Sequence, residues 1–178
     1  SLALKSDSDF LDVRDRELAA DFKNDKLLNQ IREAYRHAPY FKQAFPVVEA
    51  VMHYGDRNLF RFLHNSIVIV CEYLRIHSKI AISSAIQIDH SLKNQEKVIA
   101  LCKRVDAKMY INSIGGMDLY SRDDFLAQDI ELKFIKSNTF DFKQMGNEFI
   151  PWLSIIDVMM CNSVDDINAY LRSGYKLI

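Results

Sequence analysis

The sequence predicts an α/β domain: a small, mostly parallel sheet flanked by helices, with a largely helical amino-terminal third. Three observations lead there. Apolar residues recur at helical spacing between Asp25 and Leu74. Two short β-runs, Met109-Tyr-Ile111 and Leu132 to Ile135, flank a glycine pair and a short helical pattern. A third apolar run, Ile80-Ala-Ile82, precedes a helical stretch that leads into the first of these. Strands joined through helices run parallel, with right-handed crossovers.

In chain order, Leu2 to Lys5 reads as a short strand and the acidic stretch from Ser6 to Asp21 as a loop. From Asp25 to Arg36, Leu27, Leu28, Ile31, Ala34 and Tyr35 trace one helical face. Pro39 ends this helix and suits the first turn of the next, which runs to about Met52; Pro46 inside it predicts a kink or a split. Asn58 is a good N-cap for a third helix to about Leu74, with Leu59, Phe60, Leu63, Ile67, Val70, Cys71 and Leu74 as its apolar stripe.

The character then changes. Ile80 to Ile82 reads as a buried strand, and Ser91 to Val105 as a helix with Leu92, Val98, Ile99, Leu101, Cys102 and Val105 inward. Strand Met109 to Ile111, helix Ser121 to Ala127 and strand Leu132 to Ile135 complete a β-α-β-α-β order. A polar loop with aromatic content spans Ser137 to Gly146. Two helices close the chain, about Ser154 to Met160 and Ser163 to Leu171, with Gly174 placed to end the second. No repeat or low-complexity linker interrupts residues 1–178, so one domain is expected, with a helical part (about 22–77), a βαβαβ part (about 79–136) and carboxy-terminal helices (about 152–173).

The formal net charge is −1, with 23 basic and 24 acidic residues interspersed. Without a basic stripe there is no phosphate-backbone footprint, so no nucleic-acid partner is expected. Cys71, Cys102 and Cys161 lie far apart in apolar runs, matching neither a zinc spacing nor a secreted disulfide framework. The longest apolar stretch, Ile67 to Cys71, is too short to cross a bilayer, and no signal peptide is visible. These features predict a cytoplasmic protein.

Ser121 and Asp124, Ser154 and Asp157, and Ser163 and Asp166 each stand three residues apart at a helix start. Each pair reads as a capping box, which argues against a serine nucleophile. Gly115-Gly116 matches neither the dinucleotide fingerprint nor the phosphate-binding P-loop. Its place at the carboxyl end of a strand is nonetheless where open α/β sheets bind ligands. Asn112, at that exit, is the better ligand contact; Tyr110, on the same face, belongs to the core if the strand is central and covered on both sides. Ser83 and Ser84 are expected beside Asn112 across the sheet's carboxyl edge, and Tyr120 to complete the pocket. No two histidines and acids have a metal-ligand spacing. His64 reads as a packed residue, and His90 is the histidine to test for acid–base work. Trp152 reads as a packing anchor, with a sugar-stacking platform as the alternative.

Four segments resemble the WbqC-like protein family of bacteria: Ala34-Tyr-Arg-His-Ala-Pro-Tyr-Phe41, Tyr110-Ile-Asn-Ser-Ile-Gly-Gly116 with Leu119-Tyr120, Ile130-Glu-Leu-Lys-Phe134, and Phe149-Ile-Pro-Trp-Leu-Ser-Ile-Ile-Asp-Val158. The family usually has proline where Ser113 stands, and an acidic residue where Ala85 stands, which weakens a catalytic reading of Ser83-Ser84. Its members usually open with a Gln-Pro-Tyr-Phe-like motif, a Gly-Tyr pair and an Asp-Asp pair, so the resemblance implies a segment ahead of Ser1. Association of the family with O-antigen and capsule gene clusters implies a group transferase of surface-polysaccharide biosynthesis. The substrate expected is a nucleotide-linked or lipid-linked sugar; a homo-oligomer is possible, and the cofactor is unknown. A non-catalytic binding or assembly module of the same pathway is the alternative. An enzyme should have a concave pocket walled by Asn112, Gly115 and Gly116, and a scaffold should have an exposed apolar patch.

Overall fold

The computed structural model describes residues 2–146 and 148–178. The chain divides into two compact units, Ser1–His77 with Phe140–Tyr170, and Ser78–Thr139 with Leu171–Ile178. Each has its own hydrophobic cluster.

The first unit is helical: α1 (Asn24–Tyr35), α2 (Phe41–Met52), α3 (Leu59–Tyr73), α6 (Ile155–Cys161) and the first part of α7 (Val164–Ser173). Its core gathers Leu28 of α1, Ala44, Phe45, Val48 and Met52 of α2, Phe62 of α3, and Met159 and Met160 of α6. Leu2 to Lys5 does not form a strand; Leu4 makes one isolated antiparallel bridge to Leu18. Pro46 does not split α2, which runs unbroken past it. Pro46 is exposed, so the carbonyl left without an amide partner one turn back can be satisfied by water. In α3 the expected stripe is displaced. Phe62 is buried, whereas Leu63 and Ile67 are exposed, because this helix is apolar on more than one face. The aromatic loop after residue 137 is tied down by Phe140, which stacks on Tyr170 at 4.3 Å between ring centroids.

The second unit holds α4 (Asn94–Arg104), β1 (Met109–Ser113), α5 (Arg122–Leu126), β2 (Glu131–Ser137) and β3 (Tyr175–Leu177). The sheet has the order β1-β2-β3, with β1 parallel to β2 and β3 antiparallel to it. The α/β class therefore holds with a mixed sheet, in which the expected parallel pairing applies to β1–β2 and not to β3. The carboxy-terminal strand was not foreseen, since its three residues follow directly on a helix with too little length to show a period. Ile80 to Ile82 is no strand either: it is an exposed extended segment, followed by a 3₁₀ turn at Ser83–Ala85. Among the described residues β1 pairs only with β2 and so forms an edge.

One face of the sheet is covered. Register pairs Tyr110 with Leu132 and Asn112 with Phe134, and of these Tyr110, Leu132 and Phe134 pack with Cys102, Val98 and Ile99 of α4 and Phe125 of α5. Val105, expected inward, is exposed beyond the end of α4. The opposite face carries the exposed side chains Met109 and Ile111 on β1 and Tyr175 and Leu177 on β3, with a Lys133–Glu131 ion pair at 3.0 Å between them in sequence register.

Helix ends follow local chemistry. Asn58 caps α3 by accepting from the Arg61 amide at 3.0 Å, as its sequence position predicts. Three helices end in the same pair of reversed hydrogen bonds. Ile76 N–H donates to Cys71 O and Arg75 N–H to Glu72 O; Ala107 to Cys102 and Asp106 to Lys103; Ile130 to Phe125 and Asp129 to Leu126. The left-handed residue of this motif is usually glycine, yet here it is Arg75, Asp106 and Asp129, with φ of 55°, 53° and 57°. Gly174, the expected terminator, does not take a positive φ; its carbonyl accepts from the Asn138 amide at 2.8 Å. Replacing exposed Asp129 by glycine relieves the left-handed strain. The Asp129→Gly variant is expected to gain about 0.5–1 kcal/mol, read as a raised midpoint in chemical unfolding.

Candidate functional site

The strand-exit site is built from β1 and the turn after it. Residues Ile114–Leu119 form a 3₁₀ helix, which carries Gly115-Gly116 away from the parallel pair. The two glycines differ. Gly115 is exposed, and a Cβ there would meet nothing within 4 Å. Gly116 is buried; a Cβ there would lie 2.6 Å from Asn112 Nδ2 and 3.6 Å from a Tyr120 ring carbon. A side chain at Gly116 would therefore push the Asn112 amide from its place. The Asn112 side-chain carbonyl accepts from the Ser113 amide at 2.8 Å, and its amide nitrogen lies over Gly116. Asn112 and Tyr120 both lie against Gly116, while Gly115 next to it stays open.

Two features of the predicted site change. Tyr120 belongs to an aromatic cluster, its ring centroid 5.9 Å from that of Tyr110 and 6.0 Å from that of Phe125. Burial first, and then a hydrogen bond to Tyr120, push the Tyr110 hydroxyl up to about 12. Tyr110 packs in the core although β1 is an edge, because only one face of that strand is covered. Ser83 and Ser84 end no strand; they sit exposed in a 3₁₀ turn, so the premise that set them beside Asn112 in the sheet fails. His90 is exposed, with its Nε2 3.0 Å from Ile86 O, a local turn contact. His64 packs against Phe60 at 5.9 Å between ring centroids.

The three serine–aspartate pairs all cap helices, but each differently. Ser163 Oγ accepts from the Asp166 amide at 3.0 Å and donates to the Asp166 carboxylate at 2.5 Å. Ser121 Oγ accepts from the Asp124 amide at 3.3 Å, while Gln95 of α4 supplies the return contacts: its Oε1 accepts from the Ser121 amide and its Nε2 donates to Asp124. Gln95 and Asp124 also line a polar depression of about 510 Å³ between α4 and α5, whose polar groups therefore largely satisfy one another. Ser154 Oγ accepts from the Ile156 amide, one residue earlier than a capping box requires. Asp157 is released from that role and turns inward.

Asp157 is the feature that sequence reasoning missed. It is 4% exposed. Its Oδ1 accepts from the Tyr35 hydroxyl at 3.0 Å, and its Oδ2 from Gln144 Nε2 at 3.0 Å. Burial chiefly, then the bond to Asp157, push Tyr35 up to about 12; burial and the same carboxylate raise the Cys161 thiol. Tyr35 and Asp157 lie in two of the segments that carried the family resemblance, and only the fold brings them together.

The helical unit also contains an aliphatic cleft of about 350 Å³. Leu27 and Ile31 of α1, Val47, Val51 and Met52 of α2, Ile67, Val70 and Cys71 of α3, and Ile155, Ile156 and Met159 of α6 line it. Its two serines are occupied locally: Ser66 Oγ donates to Leu63 O, and Ser154 caps α6. The cleft therefore offers dispersion and apolar burial and little polar recognition. Among the described residues no cluster of three or more His, Cys, Asp or Glu could hold a metal ion, and no helix is long and apolar enough to cross a membrane.

The sequence profile of the WbqC-like protein family matches residues 1–169. The chain belongs to this family. No curated protein and no solved structure matches the chain. Family membership thus joins the segments that form the Tyr35–Asp157 contact and the β1 exit, both of which fall inside the matched region.

Two measurements test these sites. Gly116→Ala is expected to cost about 1 kcal/mol and Gly115→Ala less than about 0.5. Adding Asn112→Ala to Gly116→Ala should recover most of that loss in a double-mutant cycle; additive losses would deny the Asn112 contact. For the half-buried Tyr35 and Tyr110, a folded-state value raised above the ordinary 10 means that their stabilisation is complete below pH 10. It is lost as pH rises from 10 towards 12. Unfolding midpoints measured across that window should fall for the natural chain and fall less steeply for Tyr35→Phe.

Proposed function

We propose that this WbqC-like chain acts in bacterial surface-polysaccharide biosynthesis on a lipid-linked sugar, as a group transferase, and that the aliphatic cleft of the helical unit receives the lipid. The observation that carries this reading is the cleft itself: about 350 Å³ walled by branched aliphatic and methionine side chains, with both serines already hydrogen-bonded. A nucleotide needs donors and acceptors for its base and phosphates, and such a wall has few to give. A polyprenyl or acyl chain needs only apolar burial. Membership of the family supports the pathway.

Asn112 and the exposed Gly115 backbone are proposed separately as polar contacts for a phosphate or sugar hydroxyl in the second unit. The glycine turn leaves the parallel β1–β2 pair at its carboxyl end, and Gly115 has open space above it.

A second reading is a non-catalytic binding module of the same pathway. It is favoured by the exposed apolar residues between Phe149 and Ile155, the kind of patch expected of an assembly surface.

Thermal-shift measurements with short-chain polyprenyl-phosphate sugars and with nucleotide sugars separate these readings. A polyprenyl-linked sugar at a hundred times its dissociation constant should add about 2.7 kcal/mol of stability, and nucleotide sugars little. Ile67→Asp, which places a charge at a cleft position 53% exposed, should abolish the shift with the fold retained. Shifts with nucleotide sugars alone would reject the lipid reading. A polyprenyl-linked shift without transfer to any acceptor favours the binding module.

A further inference from the structure

Between Phe149 and Ile156 the chain carries eight consecutive residues without a charge. Within it Ile150 is 57%, Trp152 72% and Leu153 46% exposed. Single exposed apolar residues are ordinary on protein surfaces, whereas a contiguous run marks an interaction surface. Trp152, expected as a packing anchor, instead faces solvent.

The run is held in place. The Ile150 amide donates to Gln144 Oε1 at 2.7 Å, and its carbonyl accepts from Gln144 Nε2 at 2.8 Å. That nitrogen also reaches the buried Asp157 carboxylate. Trp152 has φ of 62°, a left-handed conformation rare for a bulky residue and one that persists only where the surroundings impose it. Gln144 therefore fixes the backbone at Ile150, beside the exposed Trp152.

We infer that Phe149–Ile155 is an interfacial anchor that docks the protein on the surface of a lipid bilayer. An apolar medium offers no hydrogen bonds, so backbone groups that enter it need partners within the protein. At Ile150 both groups are satisfied by Gln144, and Pro151 has no N–H to satisfy. Trp152 and Leu153 lie at headgroup depth, where water and headgroups complete the hydrogen bonding of their backbone. The tryptophan ring suits headgroup depth, with aliphatic neighbours reaching the acyl boundary. Ser154, Ile155 and Ile156, at the end of the run, also wall the aliphatic cleft, so anchor and cleft are continuous. A run without charges binds through apolar burial rather than attraction to anionic lipid, and this binding is insensitive to salt. The inference rests on the loop alone; vesicles that contain no sugar test it apart from the cleft's proposed ligand.

Trp152 is the chain's single tryptophan, so its fluorescence reports this loop without interference. Vesicles of phosphatidylcholine, and of a phosphatidylethanolamine–phosphatidylglycerol mixture, should each shift its emission to the blue. Both should carry the protein upward in a flotation gradient, in low salt and at about 1 M salt alike. Ile150→Ser and Leu153→Ser should each lower partitioning about tenfold with unchanged thermal unfolding, and Trp152→Ala should do so by flotation. The inference is overturned if neither vesicle shifts the emission, or if all three variants float like the natural chain. Binding confined to the anionic mixture and lost in high salt would also overturn it. So would a blue shift that grows with protein concentration in the absence of lipid, which would assign the loop to a contact between copies.

Discussion

A carboxylate enclosed in an aliphatic core is tolerable only while its lone pairs have donors, and in the helical unit that condition organises three separate parts of the chain. Asp157 draws the Tyr35 hydroxyl from the end of α1 and the Gln144 amide from the loop before α6. Losing either donor would leave a buried charged group short of a partner, at a cost of several times an ordinary hydrogen bond. The consequence extends beyond the bond lengths. Gln144 holds Asp157 with the same side chain that holds both backbone groups of Ile150, so one amide sets the inner carboxylate and the outer loop together. Burial around this node, and then the Asp157 charge, also raise the Cys161 thiol.

The second unit rests on a different constraint, close packing at a strand exit. Tyr110, Tyr120 and Phe125 fill the space beneath the turn, and Asn112 fills the space above Gly116. Arg122 adds a guanidinium 5.5 Å from the Phe134 ring centroid and a hydrogen bond to Leu132 O at 3.2 Å. The glycine pair is thus divided in function: one residue is small because a side chain presses on it, and the other leaves backbone open to solvent.

How much was legible in the sequence depended on the range of the physics involved. Helices with a clear 3.6-residue period were placed within a residue or two, as at α1 and α3, and the Asn58 and Ser163 caps could be read from side-chain chemistry alone. The parallel β1–β2 pair was likewise signalled by local order, whereas the packing of Asn112 on Gly116, neither of which has a special backbone angle to announce it, was not. Short apolar runs were less informative. Ile80 to Ile82 has β-forming residues but no ladder partner, while Tyr175 to Leu177 has one and forms a strand. The inward turn of Asp157 was hidden for a related reason: its partner Tyr35 lies 122 residues away. A serine three positions before an aspartate looks the same whether or not the carboxylate returns to the cap.

The edge position of β1 has a consequence of its own. Its sequence from Met109 to Ser113 contains no charge, no proline and no irregular residue, the devices by which sheets ordinarily discourage extension. One side of this ladder is engaged with β2, and among the described residues no strand pairs with the other, beside exposed Met109 and Ile111. A further extended segment could therefore join without disturbing what is already folded. The sheet is a lattice with an open row, and its size is limited by what reaches that row rather than by any barrier written into the strand.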